Sequence, residues 1–218
     1  MSGSIISPEL RARVRGVATP IAAGFGRLGL TPNHLTLIGF GIAVVAAVAA
    51  ATQSWLAAGL LVVVGGVFDL FDGALARATG RASKLGAFMD SVFDRAGEGV
   101  VYVGIVAGSL AANYTAGAIL AAAAMAAAFM VSYTRAKSES LGFTAGTGMA
   151  AIGVAPREVR IVILTIGLVA ASLLGFEGGA AGRGPLTIAL GLIAILATIT
   201  TIQRIVHVIR QSSSKEQQ

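Results

Sequence analysis

The chain has 218 residues, of which 56% are hydrophobic and 12% are charged, with a formal net charge of +6. Soluble domains carry about 25% charged residues, so this composition excludes an ordinary soluble domain and indicates a membrane protein. The chain has no cysteine, which excludes a disulfide framework and a thiolate metal site. The positive charge suits an anionic membrane surface, and nothing in the sequence indicates nucleic-acid binding.

The amino-terminal segment, residues 1–34, is predicted to lie on the cytoplasmic side of the membrane. Within it, the stretch from Pro8 to Leu30 mixes four arginines with apolar residues. This mixture is typical of an amphipathic helix that lies in the membrane interface.

Residues 35–207 are predicted to form a six-helix transmembrane domain, and residues 208–218 a cytoplasmic tail. Uncharged runs of about 18 residues recur, each long enough to cross a bilayer core of roughly 30 Å. The predicted spans are Leu35–Thr52, Leu56–Arg77, Leu85–Ala112, Thr115–Arg135, Arg157–Phe176 and Pro185–Gln203. The fold class is therefore an all-α membrane protein, with six transmembrane helices preceded by an amphipathic interfacial helix.

Basic residues alternate strongly between the two sides of these spans. All of them except Arg95 and Arg183 fall on the side of the amino terminus. Cytoplasmic loops are enriched in Lys and Arg. We therefore expect a multi-pass protein of the cell membrane whose termini, and whose connection between spans two and three, face the cytoplasm.

The aspartates of the chain all lie in spans two and three, at Asp69, Asp72, Asp90 and Asp94. On a helix, their spacings of three and four place the two acids of each span on one face. The short connection between the spans predicts antiparallel neighbours, so the four carboxylates are expected at similar depth. Two divalent cations, Mg²⁺ or Mn²⁺, would neutralise such a cluster through oxygen ligands. We expect these ions to clamp a phosphate group.

Gly73 and Gly86 lie next to these aspartates and lack side chains, which permits a ligand to approach closely. Arg77, one turn after Gly73, is placed to contact phosphate oxygens. Without any resemblance to a family, the residues predict a membrane site for a metal-bound phosphate or diphosphate. The structural alternative is that the aspartates merely pair with Arg77 and Arg95.

The run Asp69-x2-Asp72-Gly73-x2-Ala76-Arg77-x8-Gly86-x3-Asp90-x3-Asp94 resembles the full signature of the CDP-alcohol phosphatidyltransferase family. The resemblance extends over most of the chain and includes LTPNHLT at residues 30–36. It implies that the protein transfers a phosphatidyl group from a CDP-linked lipid, such as CDP-diacylglycerol, to an alcohol, and that CMP is released. It also implies two metal ions held by the four aspartates, with Asp94 as the general base for the acceptor hydroxyl.

The same resemblance implies which residues surround the CDP-lipid head group: Thr31, Pro32, Asn33, His34, Gly73, Arg77 and Ser83. For His34 and Ser83, a role as ordinary interfacial polar residues is an equal alternative.

Further basic residues lie at the cytoplasmic ends of spans four, five and six: Arg135, Lys137, Arg157, Arg160 and Arg204. We expect them to bind the phosphate of a phosphorylated polyol acceptor, although anchoring to lipid head groups would also account for them. The segments SYTRAKSES (132–140), REVR (157–160) and IQR (202–204) resemble phosphatidylinositol-phosphate synthases. Inositol 1-phosphate is therefore the predicted acceptor, and glycerol 3-phosphate is the alternative.

Two functions from other classes remain open at this stage: a membrane prenyltransferase that binds Mg²⁺-diphosphate, and a cation transporter. Small residues crowd the fourth span in the run AAAAMAAAF, residues 121–129. Such residues permit tight helix packing or the seam of a homodimer.

Overall fold

The computed structural model describes residues 19–143, 149, 152–176 and 180–215. Over this part the chain is helical and contains no strand. The helices are residues 19–27 (α1), Pro32–Ala51 (α2), Trp55–Ala78 (α3), Lys84–Ala111 (α4), Thr115–Ser140 (α5), Arg157–Leu173 (α6) and Ala180–Lys215 (α7). Each predicted span coincides with one of the helices α2 to α7, and the last helix extends beyond its predicted span at both ends.

Four of these helices are long and apolar enough to cross a membrane: α2, α3, α5 and the part of α7 from Gly182 to Ser213. The protein is therefore a multi-pass membrane protein. Helix α6 has only 17 residues, and α4 carries Asp90, Asp94, Arg95 and Glu98 within its length. Hydropathy alone thus selects four spans in the described residues, and the count of six remains a prediction.

The six long helices form a closed ring. Helix α2 packs against α3 and α4, α3 packs against α6, α6 against α7, α7 against α5, and α5 against α4. The short connection between α3 and α4 predicted antiparallel neighbours. In the described residues the two helices share no extensive packing, and α2 packs against both.

Glycines on α4 explain why α2 takes this position. A side chain at Gly104 or Gly108 would collide with the backbone carbonyl of Ala47 or Ala50 on α2. On the other flank, Gly39 of α2 lies against Gly65 of α3. Because these positions lack side chains, the α2 backbone approaches both helices closely, which holds α3 and α4 on either side of it.

The described part of α1 packs on the same end of the bundle as the α3–α4 connection. Ala22 is buried with Leu75, and the Phe25 ring lies 5.7 Å from the Phe71 ring, centroid to centroid. Ile21 of the same helix is 43% exposed. One buried and one exposed apolar face suit the predicted interfacial helix, whose residues before 19 lie outside the described part.

The alanine-rich run of α5 is used partly inside the protomer. Ala121, Ala124 and Ala128 are buried in the main hydrophobic core, where α5 meets α4 and α7. This face of the run therefore serves helix packing within one chain. A homodimer remains a prediction.

Candidate functional site

On α3, the Asp72 carboxylate is held in a buried hydrogen bond. The Thr36 hydroxyl of α2 donates to Asp72 Oδ2 at 2.7 Å, and only about 5% of either residue is exposed. Sequence reasoning did not single out Thr36 as a site residue. Its only sequence signal is that it ends the LTPNHLT segment quoted above.

Electrostatic interactions join the four aspartates of α3 and α4. Asp69 and Asp90 each interact with all three of the other aspartates. Helices α3 and α4 therefore direct their acidic faces toward one another, although they do not pack together. This arrangement follows from the two helical stripes that the spacing of the aspartates predicted.

A single guanidinium bridges two of these carboxylates. Arg157, the first residue of α6, places Nη1 2.7 Å from Asp69 Oδ2 and 3.0 Å from Asp94 Oδ1. Arg95, one of the two partners in the structural alternative, is 3.6 Å from Asp94 Oδ2 and donates instead to the Ser91 carbonyl at 2.9 Å. The principal cation at the aspartates is thus Arg157, which the sequence analysis had assigned to the acceptor phosphate.

The donor set of this cluster suits a hard divalent cation. Four aspartates supply only carboxylate oxygens, the ligands that Mg²⁺ and Mn²⁺ prefer. The position of Arg157 shows that a positive group is stabilised between Asp69 and Asp94. Among the described residues, however, no three acidic or histidine side chains surround one common point. The residue types fit the metal, while a complete cage of four carboxylates remains a prediction.

A partly open cleft of about 600 Å³ extends from these charged groups into the bundle. Asp69, Asp94 and Arg157 line one end of it, and Glu98 with Arg160 lines the wall. The remaining lining is mostly apolar or glycine and comes from α2, α3, α4 and α6: Thr36, Gly39, Phe40, Ala43, Leu61, Val62, Gly65, Gly66, Phe93, Gly97, Val101, Tyr102, Ile161 and Leu164. The cleft thus opens inside the ring of helices, where α3 and α4 lie apart.

Most residues assigned to the CDP-lipid lie at the starts of α2 and α4, and Gly73 and Arg77 lie near the end of α3. Thr31 and His34 form a reciprocal cap on α2, in which Thr31 Oγ1 accepts from His34 N at 3.3 Å and His34 Nδ1 accepts from Thr31 N at 3.3 Å. Ser83 Oγ caps α4 by accepting from Gly86 N at 3.0 Å. These contacts make His34 and Ser83 helix-capping residues, a role that the sequence did not predict. Their contact with lipid remains a prediction.

Polar side chains lie over two glycines, Gly86 and Gly73. Asn33 Oδ1 lies 3.4 Å from the position that a Cβ of Gly86 would take. The Arg77 guanidinium folds over Gly73, with Nη1 3.3 Å from the corresponding point there. Pro32 is the first residue of α2. The predicted head-group residues are therefore grouped at the end of the bundle where the aspartates lie.

Four of the five basic residues assigned to the acceptor phosphate are electrostatic neighbours. Arg160 interacts with Arg157 and with Arg204, and Arg204 also interacts with Arg135. Arg160 is buried and all of its guanidinium nitrogens donate hydrogen bonds, to Glu98 and to the Ala155 carbonyl. Arg160 therefore makes contacts within the fold, and its binding of the acceptor phosphate remains a prediction. Arg204 is likewise buried, and it donates to the carbonyls of Ile152 and Val131.

Arg135 and Lys137 lie on different faces of α5. Arg135 interacts electrostatically with Arg204 and pairs with Glu139 at 2.9 Å. Residues two apart on a helix do not face the same way, and Lys137 is exposed. The structure therefore brings Arg135, but not Lys137, to the basic group around Arg204.

Known proteins are similar to this chain over most of its length. The family model for CDP-alcohol phosphatidyltransferase matches residues 29–212. The archaetidylinositol phosphate synthase of Pyrococcus horikoshii is 38% identical over 90% of this chain and 93% of its own length. The phosphatidylinositol phosphate synthase of Streptomyces avermitilis is 34% identical over 98% of this chain and 86% of its own.

Solved structures give the same result. The phosphatidylinositol phosphate synthase of Mycobacterium tuberculosis with CDP-DAG bound superimposes with a TM-score of 0.76 and 27% identity, covering 88% of this chain and 93% of that one. The same enzyme in complex with manganese and citrate gives a TM-score of 0.75 with 28% identity, covering 88% of each chain. The chain therefore belongs to the CDP-alcohol phosphatidyltransferase family of enzymes.

Proposed function

We propose that the protein transfers the phosphatidyl group of a CDP-linked lipid, CDP-diacylglycerol or its archaeal ether counterpart, to inositol 1-phosphate. The relatives support this acceptor, because the enzymes of Pyrococcus and Streptomyces differ in the lipid part of their names and share inositol phosphate. The observation that carries the proposal is the Arg157 guanidinium, 3.0 Å from Asp94 at the mouth of the cleft. A phosphate bound there brings the acceptor beside the proposed base.

Asp69, Asp72, Asp90 and Asp94 are the proposed ligands of two divalent cations, Mg²⁺ or Mn²⁺. Manganese in the structure of the Mycobacterium relative supports this assignment. When bound, the cations neutralise the carboxylates and the charge that develops on the departing CMP.

The residues of the chain supply the remaining steps. Asp94 accepts the proton of the acceptor hydroxyl as general base. The hydroxyl oxygen forms a bond to the phosphorus on the lipid side of the diphosphate, the bond from that phosphorus to the bridging oxygen breaks, and CMP leaves with the electron pair. Arg157 holds the acceptor phosphate through charge-assisted hydrogen bonds. Gly73, Gly86 and Arg77 border the head group of the CDP-lipid.

We place this reaction at the cytoplasmic face of the cell membrane. Six spans, α2 to α7, put both termini and the aspartates on the side that carries nearly all the basic residues. The amphipathic α1 would lie in the interface at that face, and we propose a homodimer as the assembled form. Because the chain belongs to the transferase family, a prenyltransferase or a cation transporter is no longer needed to explain the four aspartates.

The test is CMP release from CDP-diacylglycerol with Mn²⁺ or Mg²⁺ and a panel of alcohols. We expect release with inositol 1-phosphate and little with serine, choline or free inositol. Release with glycerol 3-phosphate but not with inositol 1-phosphate would reassign the acceptor. No release with any alcohol would refute the proposed transfer.

A further inference from the structure

A buried ion pair crosses the cleft just behind the proposed active site. Arg160 Nε donates to Glu98 Oε1 at 2.8 Å, and Arg160 Nη2 donates to Glu98 Oε2 at 2.8 Å. The side chains are only 1% and 11% exposed, respectively. Parallel hydrogen bonds of this kind fix the guanidinium plane as well as its distance from the carboxylate.

The position of this pair relates it to the two reacting ends of the site. Glu98 lies one turn after Asp94 on α4, and Arg160 lies one turn after Arg157 on α6, so each residue shares a helix face with its site neighbour. In the described residues no extensive packing joins α4 to α6. The ion pair is therefore a direct link between the helix that carries Asp94 and the helix that carries Arg157.

Arg160 also holds the turn that leads into α6. Its Nη1 donates to the Ala155 carbonyl at 3.0 Å, and Pro156 directly precedes the helix. Arg157 follows that proline immediately. One side chain thus fixes both the distance of α6 from α4 and the backbone from which Arg157 projects.

We infer that Glu98 and Arg160 are positioning residues that place Arg157 relative to Asp94 and so determine the affinity for the phosphorylated acceptor. The inference rests on the proposed function, in which Arg157 binds the acceptor phosphate. Stability alone is a weak reason for such a pair, because a buried ion pair can often be replaced by apolar residues of similar volume without loss of stability. The position of a binding group has a large effect on activity, since a displacement of about 1 Å can reduce a rate 10²-fold.

The first test is Glu98→Gln, which replaces one carboxylate oxygen by an amide that faces a guanidinium donor. We expect the KM for inositol 1-phosphate to rise about tenfold or more. The KM for the CDP-lipid should stay within about twofold of wild type, because the lipid head-group residues keep their own contacts. The matched control is Glu158→Gln on the exposed face of α6, which should change neither KM.

A second variant guards against a general defect in folding. Glu98→Met with Arg160→Met replaces both charges by apolar side chains, and thermal unfolding in detergent checks that it is folded. A folded double variant with the acceptor KM of wild type would overturn the inference. So would an equal rise in the KM of donor and acceptor.

A distance measurement separates this inference from the proposed function. Because the chain has no cysteine, spin labels can be attached specifically at Val92→Cys on α4 and Val162→Cys on α6, both exposed positions. We expect a shifted or broader distance distribution in Glu98→Gln and the double variant, and no change in Glu158→Gln. Unchanged distances would overturn the positioning role whatever the acceptor is. Wild-type protein that releases no CMP with inositol 1-phosphate would instead refute the proposed function.

Discussion

Thr36→Val tests whether Asp72 is a metal ligand held in place from outside the cluster. Valine has nearly the shape of threonine and removes only the hydroxyl that donates to Asp72 Oδ2 at 2.7 Å. That hydroxyl also contacts the Pro32 carbonyl of its own helix at 3.2 Å. The bond to Asp72 is the one that crosses from α2 to α3 and orients the carboxylate.

The size of the effect follows from the nature of this bond. A hydrogen bond to a charged group contributes about 1.5–3 kcal/mol. At about 1.4 kcal/mol for each factor of ten, its loss corresponds to a decrease of roughly 10- to 100-fold in affinity for Mn²⁺. Loss of groups that orient metal ligands decreases affinity by about the same factor in other proteins.

The assay is Mn²⁺ binding to the detergent-solubilised protein, measured by the electron paramagnetic resonance signal of the free ion. Thr36→Ser keeps the hydroxyl and should bind as wild type does. The matched control is Thr198→Val, whose hydroxyl donates only to the Ala194 carbonyl at 2.8 Å. This variant loses the same contact with the carbonyl four residues earlier that Thr36→Val loses at Pro32. It should leave the affinity for Mn²⁺ unchanged.

The refuting result is a folded Thr36→Val protein with wild-type affinity for Mn²⁺. Thermal unfolding measured on the same sample shows whether the variant is folded. Unchanged binding would mean that Asp72 is not a ligand or that its orientation does not depend on Thr36. Either outcome would remove Thr36 from the site.

Three further predictions follow from the structure. Asp94→Asn should abolish CMP release while largely keeping CDP-lipid binding, because the amide cannot accept the acceptor proton; turnover at the wild-type rate would exclude Asp94 as the base. Arg157→Ala should raise the KM for inositol 1-phosphate by about 10- to 100-fold, as expected for loss of a charged hydrogen bond. Lys137→Ala should leave this KM unchanged, because Lys137 lies on a different face of α5 from Arg135 and is exposed. Steady-state kinetics with both substrates varied measure the two effects, and equal KM values for Arg157→Ala and wild type would contradict the assignment. Gly104→Ala should destabilise the protein by about 1–3 kcal/mol, because its methyl group would collide with the Ala47 carbonyl. The control in thermal unfolding is Gly191→Ala, since Gly191 has open space around it. Equal melting temperatures for the two variants would show that α2 and α4 do not pack as described.

The positions of the helices and the acidic stripes could be predicted from the sequence because both are local properties. A run of apolar residues determines where a helix forms in a membrane, and a spacing of three or four determines which side chains share its face. The starts of α3, α4 and α5 lie within one residue of their predicted positions. Asp69 with Asp72, and Asp90 with Asp94, were recognised as pairs for the same reason.

Contacts between distant helices could not be predicted in this way. Glu98 and Arg160 are 62 residues apart in the sequence, and nothing in the spacing of either helix shows that they meet. Arg157 and Arg160 looked equivalent in the segment REVR, yet one faces the aspartates and the other is buried against Glu98. Both lie on the same face of α6, one turn apart. Their roles differ because each turn of α6 meets a different turn of α4: Arg157 is paired with Asp94, and Arg160 with Glu98.

The sequence by itself determined that this is a helical membrane protein with four aspartates on two neighbouring segments, and its motif determined the family. Only the tertiary structure decided that α2 lies against both acidic helices, that Thr36 holds Asp72, and that Arg157 is the cation between Asp69 and Asp94. The reason is physical: helical periodicity is set by residues a few positions apart, whereas the separation and rotation of packed helices depend on side-chain volumes, such as the missing ones at Gly104 and Gly108, contributed from distant parts of the chain.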